Sequence, residues 1–333
     1  MPVLIEPSPS IVSHDPDTSA SELIALDVEV TLPEELNAFG ASVRATATGH
    51  PLGDVVVVMG GISGNRHLCS QPDAGPGWWP GLVGAGRAID PARHLVVGID
   101  FAADPHGAAA PTTWDQARIL ALALDALCVG NVDALVGASY GGMVALAFAE
   151  LFPDRAGRLV IVSAGAEPHP AATAARELQR RVVALGLENG CGEQALAIAR
   201  GMAMMTYRTA QEFDTRFTGG IEARCPLTTS APGAYLQARG RDFLTVMSPH
   251  RFLSLSGSID RHRVDPARIG CPILLVGADS DQLVPPTQLR SLAARCGGPA
   301  ELHLLPSRYG HDMFLKEAEA LGGIVGPFLA GSA

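Results

Sequence analysis

Short, unbroken apolar runs punctuate the chain from residue 54 onward. DVVVVMGG (54–61), HLVVGIDF (94–101), VDALVG (132–137), RLVIVSAG (158–165) and CPILLVGA (271–278) each have strand length and little polar alternation. A strand with that pattern is buried on both faces, as in the middle of a parallel sheet. AELHLLPS (300–307) reads as a last strand before a C-terminal helix. Between the runs the period changes. TTWDQARILALALDAL (112–127) has helical spacing, with Thr112 or Thr113 available as the N-cap. Met143, Leu146, Ala147 and Glu150 recur the same way across 140–151. Upstream, alternation over 24–31 and 40–47 predicts an antiparallel lead-in hairpin. The first 20 residues, rich in Pro, Ser and Asp, predict a loosely held terminus.

Buried strands alternating with amphipathic helices predict an α/β fold, a mostly parallel sheet with helices on both faces. One interval breaks the rhythm. Residues 166–262 carry helical periods at 172–185, 192–205, 209–217 and 231–247 and no buried strand, which predicts a helical lid inserted into the core. The core is then split into 1–165 and 263–333. No internal repeat or low-complexity tract interrupts this organisation.

Composition narrows the partners. With 24 Lys plus Arg against 34 Asp plus Glu, the formal charge is −10, and no basic block is present. A nucleic-acid or anionic-membrane surface is therefore not expected. No apolar stretch approaches the roughly 20 residues of a bilayer span, and the first 43 residues lack the basic n-region of a signal peptide. The six cysteines are scattered, without a C-x-x-C, and read as reduced core thiols of a cytoplasmic protein.

The chemistry starts at Gly137-Ala138-Ser139-Tyr140-Gly141, a G-x-S-x-G turn set between a buried strand and a helix. That junction lifts a serine hydroxyl above the sheet as a nucleophile, though a serine there can also cap the helix. A nucleophilic serine needs a base, and the base needs an orienting acid. Asp279 and Asp281 both follow the strand 271–278; Asp281 is preferred because D-x-x-V-P begins there, and Asp279 stays open as the alternative. His311, in SRYGHDMFL, lies in a loop directly before a helix and is the candidate base. The oxyanion needs two backbone N–H donors. They are assigned to Tyr140 and, in the glycine-rich loop MGGISGN, to Ile62. GAGRA (84–88) neither follows a strand nor has a third glycine, and no phosphate-loop or H-E-x-x-H motif occurs. No metal and no bound cofactor are expected.

Several segments carry a resemblance to a known family. WWPGLVGAGRAID (78–90), GASYGGMVALAFAELFPDR (137–155), ARGMAMMTYRTAQEFDTRF (199–217), ARGRDF (238–243), ADSDQLVPP (278–286) and YGHDMFL (309–315) resemble the homoserine O-acyltransferases of the α/β-hydrolase fold. The resemblance implies a ping-pong reaction in methionine biosynthesis. Ser139 would take an acyl group from acyl-CoA, a co-substrate, and pass it to the hydroxyl of an amino acid. It implies Arg208 and Asp312 as substrate-binding residues, with Tyr207 lining the same pocket. Homodimers built through lid helices are common in that family, which makes a homodimer a candidate assembly. The loop GGISGNRH (60–67) and the elbow ASYGG depart from the usual family pattern and resemble a shorter bacterial subgroup that includes homoserine O-succinyltransferases. That favours succinyl-CoA over acetyl-CoA. Arg66 is the candidate cation for the extra carboxylate, unless it is a surface arginine beside a turn. Serine as acceptor, or a plain esterase or thioesterase, are the alternative readings.

Overall fold

The computed structural model of the chain describes residues 23–70, 75, 77–218 and 230–331. The amino-terminal stretch read as a loose terminus lies outside them. Eight strands form one sheet: β1 (Ile24–Thr31), β2 (Ser42–Gly49), β3 (Asp54–Met59), β4 (His94–Ile99), β5 (Ala134–Ala138), β6 (Leu159–Val162), β7 (Ile273–Ala278) and β8 (Ala300–Leu305). Their order across the sheet is β1-β2-β4-β3-β5-β6-β7-β8. β1 and β2 run antiparallel at one edge, and β4 through β8 are parallel.

The unbroken apolar runs have a direct physical cause. Along β3, Val57 and Met59 face one core while Val56 and Val58 face the other; Leu159 and Ile161 of β6 alternate with Val160 and Val162 in the same way. These residues are buried whichever way they point, so no polar face exists to give alternation. One core is closed by α1 (Thr113–Ala126) and α2 (Tyr140–Leu151), through Leu120, Leu124, Leu146 and Phe148. Thr112 caps α1 in a capping box with Asp115, and α2 begins directly after the strand that feeds it.

Between β6 and β7 come α3 (Pro170–Glu188), α4 (Gly192–Tyr207), α5 (Ala210–Arg216), α6 (Ala231–Phe243) and α7 (Pro249–Asp260). The period expected over 231–247 ends early at Phe243, and α7 is a helix that the sequence pattern did not single out. Ser248 caps it and Pro249 occupies its first turn, a local start signal. After β7 follow α8 (Pro286–Arg295), then α9 (Met313–Lys316) and α10 (Ala318–Leu329). α9 and α10 close the second core with Met313, Phe314, Leu321 and Val325.

α7 fastens the insert to the core. Its Ser254 hydroxyl accepts from the Asp104 amide at 2.9 Å, and Ser258 is hydrogen-bonded to the Tyr140 hydroxyl at 2.6 Å. Just past its end, buried His262 bridges two core elements: Nε2–H donates to Gly165 O at 3.1 Å, and Nδ1 accepts from the Thr113 hydroxyl at 2.8 Å. The neutral imidazole makes both bonds, one nitrogen donating and the other accepting. Burial pushes its pKa down to about 4, against the hydrogen bond to Gly165. A histidine depressed in the folded state lends full stability above its unfolded value near 6.5, which is lost as pH falls toward its folded value. Between about pH 6.5 and 4, His262 is expected to remove up to ~3 kcal/mol of stability. Denaturant titrations at pH 7 and pH 4.5 should show a smaller acid-induced loss in His262→Gln than in wild type.

Candidate active site

The parallel strands end along a common line. Ala138 of β5 pairs with Val162 of β6, and Ala278 of β7 with Leu305 of β8. Ser139 stands just past this edge with φ 53° and ψ −118°, a conformation that L-residues avoid at a cost of about 1–3 kcal/mol. Packing enforces it. Ser139 N donates to Val162 O at 2.8 Å, and Gly141 N donates to Gly60 O at 2.8 Å. A Cβ on Gly141 would lie 2.3 Å from Met59 O, so only glycine lets the turn seat against β3.

The structure brings His311 and Asp281 to this serine. His311 Nε2 lies 2.9 Å from Ser139 Oγ, and His311 Nδ1 lies 2.8 Å from Asp281 Oδ2. The other oxygen of Asp281 accepts from the Leu283 and Val284 amides at 2.9 and 3.0 Å. With Nδ1–H donated to the carboxylate, Nε2 is left free to accept the serine proton. Of the two aspartates left open by the sequence, Asp281 is the one at the histidine. Asp279 accepts from Ser307 N at 3.2 Å and ties the β7 and β8 loops together. Burial works against a charge on His311, but the Asp281 carboxylate, with help from Asp312, holds its pKa above the ordinary value.

The Ile62 loop follows β3, the strand beside β5, and lies in the wall of a cavity at Ser139. The Ile62 and Tyr140 amides have no acceptor among the described residues. Burial pushes the Tyr140 phenol up to about 12, so its side chain stays neutral at its bond to Ser258. Such a group of a hydroxyl, an oriented imidazole and two unused amides can carry nucleophilic acyl transfer. Among the described residues no cluster of three His, Cys, Asp or Glu is placed to hold a metal.

Two cavities meet at Ser139 and His311. One, of about 210 Å³, is bounded by the Ile62 loop, Trp78, Arg200, Tyr207 and Asp312. The other, of about 50 Å³, reaches under α3 to Arg176 and Gln179 and shares Tyr207. The Tyr207 ring centroid is 5.7 Å from that of His311.

Comparison with known proteins agrees with this architecture. Residues 54–318 match the model of a family described as having the alpha/beta hydrolase fold. The homoserine O-succinyltransferase of Xanthomonas campestris pv. campestris is 41% identical over 286 residues, covering 85% of this chain and 77% of that one. The homoserine O-acetyltransferase of Thermus thermophilus is 32% identical, covering 83% and 82%. The chain belongs to the homoserine O-acyltransferase family of the α/β-hydrolase fold. At the level of fold, a homoserine O-acetyltransferase from Bacillus anthracis superposes with a TM-score of 0.80 at 16% identity, over 92% of this chain and 97% of that one. Esterase E22 also reaches 0.80, at 20% identity, over 92% and 100%.

The residues that the family resemblance assigned to substrate are distributed unevenly. Asp312 and Tyr207 line the larger cavity, but Arg208 lines neither. It is buried, with Nε 2.6 Å from Asp312 Oδ2 and Nη1 bonded to Glu212. Arg66, expected as the cation for a succinyl carboxylate, is instead paired with aspartates away from both cavities. Asp100 takes its Nη1 at 2.6 Å, Asp27 lies 3.5 Å from its Nη2, and it borders neither cavity.

The arginines that do reach the cavities are Arg200 and Arg176. Arg200 has no carboxylate partner among the described residues; its guanidinium stacks 4.6 Å from the Phe243 ring centroid and 5.2 Å from that of Tyr207. A signal for it existed in the sequence, since Arg200 and Tyr207 are seven apart and share one face of a helix. Arg176 pairs with Asp260 through Nε and Nη2.

Two outcomes follow for family-type turnover. With the neutral form of His311 as the expected base, kcat/KM for the acyl donor should rise with pH through an inflection above 6.5. In Asp281→Asn that inflection should move down and the plateau fall by about 10⁴-fold. An inflection at the same pH in both proteins would contradict the pairing.

Proposed function

We propose that this protein is an acyl-CoA-dependent homoserine O-acyltransferase with a succinyl donor favoured over acetyl, acting in methionine biosynthesis. The observation that carries the reading is the larger cavity, which sets an unpaired cation, Arg200, and a carboxylate, Asp312, around the same serine and histidine. Those charges complement an amino acid's α-carboxylate and α-ammonium, and binding both would hold the side-chain hydroxyl near His311. Residues 166–262 act in this reading as the lid that carries Arg200.

In the first half-reaction Ser139 Oγ attacks the thioester carbonyl carbon while its proton passes to His311 Nε2. The oxyanion is received by the Ile62 and Tyr140 amides. Collapse breaks the C–S bond, and His311 returns the proton to the departing CoA thiolate. In the second half-reaction the homoserine hydroxyl gives its proton to His311 and attacks the acyl-Ser139 carbonyl. Ser139 leaves with that proton as O-acylhomoserine forms. Water would follow the same path, so a bound amino acid must outcompete it by position.

The smaller cavity supports the succinyl donor. Gln179 is buried with no hydrogen-bond partner among the described residues, and the Nη1 of Arg176 is free of Asp260. Together they suit a terminal carboxylate, and a relative at 41% identity is a succinyltransferase by name. The reading includes a cytoplasmic location and a homodimer through the lid, where Leu178, Leu185, Ile198 and Met205 are exposed.

CoA release measured with succinyl-CoA or acetyl-CoA, each with and without L-homoserine, tests this directly. Homoserine-dependent release that favours succinyl-CoA and falls at least about 10³-fold in Ser139→Ala is expected. Release indifferent to homoserine would leave a thioesterase instead; dependence on L-serine would move the acceptor by one methylene, a difference worth about 1–3 kcal/mol. Arg176→Leu should lower kcat/KM for succinyl-CoA about tenfold more than for acetyl-CoA, as loss of a charged hydrogen bond does.

A further inference from the structure

The phenol of Tyr140 is placed where neither cavity can use it. Tyr140 opens α2, and its amide is one of the two beside Ser139 that have no acceptor among the described residues. The side chain runs into the core beneath the lid, 1% exposed, and borders neither cavity. Its ring meets Phe101 edge-on, with centroids 4.8 Å apart, and its hydroxyl lies 2.6 Å from Ser258 Oγ. Gln116, held by the amide and carbonyl of Ala102, adds a second contact to the phenol. Ser258 is itself fully buried on α7. A hydroxyl pair at this depth is tolerated only while both members stay bonded. It therefore fixes a register that apolar packing would leave free to slide.

What the bond joins gives it a role beyond stability. At one end is the residue from which the oxyanion amide projects. Ser139 N is fixed to Val162 O and Gly141 N to Gly60 O, both at 2.8 Å, so the chain is held before and after that amide. The anchored phenol supplies a third point, which sets the rotation of the residue between. At the other end, the residue after Ser258 is Ile259, which lines both cavities. Arg251, earlier on the same helix, donates through Nη2 to Phe101 O at 2.9 Å, so helix, ring and loop are tied to one another.

We infer that Ser258 is a positioning residue: through the Tyr140 phenol it aims the Tyr140 amide at the oxyanion and sets the lid's Ile259 above the same serine. The inference rests on the acyl transfer proposed above. A donor that meets its full charge only in the transition state contributes to kcat and little to KM.

Tyr140→Phe, Ser258→Ala and the double variant test this in the full chain. Each should lower kcat with the preferred acyl-CoA and L-homoserine about tenfold, with both KM values kept within about twofold, since a misaimed donor costs less than the roughly 10²–10³-fold of a missing one. One bond is lost in all three, so the double variant should be no slower than the singles. Stability should behave differently. Ser258→Ala strands a buried phenol and lowers Tm, and removing the phenol hydroxyl as well should restore most of the loss. A low kcat that persists while Tm recovers separates aim from stability. The acyl-enzyme gives the direct readout. With the acyl-CoA isotope-labelled at its thioester carbonyl and no homoserine, the carbonyl of acyl-Ser139 is drawn to a lower infrared stretching frequency by the donors that polarise it. The variants should move intensity to higher frequency. Tyr140→Phe, which keeps the ring, decides the matter if Ser258→Ala does not fold. An active wild type whose variants keep its kcat, raise KM alone, or lose kcat with the carbonyl band unmoved overturns the inference alone. A wild type that forms no acyl-Ser139 and releases no CoA overturns the functional reading and the inference together.

Discussion

Ser139 occupies a backbone conformation that its own chemistry opposes, and the surrounding fold is arranged to hold it there. β3 presses on Gly141 from one side and β6 takes the Ser139 amide from the other. With the serine fixed above the sheet edge, each remaining part has one place to stand. The base must come from a loop that reaches across to β5, and the acid from the strand between. His311 after β8 and Asp281 after β7 meet those demands because the parallel strands end in line. A parallel sheet buried on both faces resists bending, which makes it a rigid mount for a constellation that tolerates little displacement.

Over this mount the lid is held by polar contacts that would be costly to leave unmade. α7 carries Ser254 and Ser258 into the core, and His262 follows it. The same helix supplies Ile259 to both cavities and Asp260 to Arg176 and Arg180. One short helix therefore connects the residue that follows the nucleophile, through the Tyr140 hydroxyl, to the ceiling of the site.

Charge is distributed across the site with the same economy. Asp281 is committed to His311, Arg208 to two carboxylates and Arg66 to a pair of aspartates beside the sheet. The ionic groups left at the cavities are few, chiefly Arg200 and the free oxygen of Asp312 in one and an edge of Arg176 in the other. A chain of net charge −10 thus presents a cation in each of the two cavities beside Ser139.

Much of this was legible in the primary structure, because the signals are local. Continuous apolar runs report burial on both faces, G-x-S-x-G reports a tight turn between strand and helix, and D-x-x-V-P begins at Asp281, the carboxylate that meets His311. Boundaries were less sharp: β6 ends at Val162, short of the apolar run that announced it, because Ser163 already has φ 52°. Beyond the helical register of Arg200 with Tyr207, the roles of the arginines were not legible. Arg66, Arg176, Arg200 and Arg208 have the same chemistry in sequence, and a long flexible side chain goes wherever a carboxylate, a ring or a cavity is offered by distant residues. Asp100, Asp260, Phe243 and Asp312 make those offers only once the chain is folded. Local periodicity determined the scaffold, and the G-x-S-x-G motif the turn that presents Ser139; which charges are spent on structure and which face a cavity is a property of tertiary packing alone.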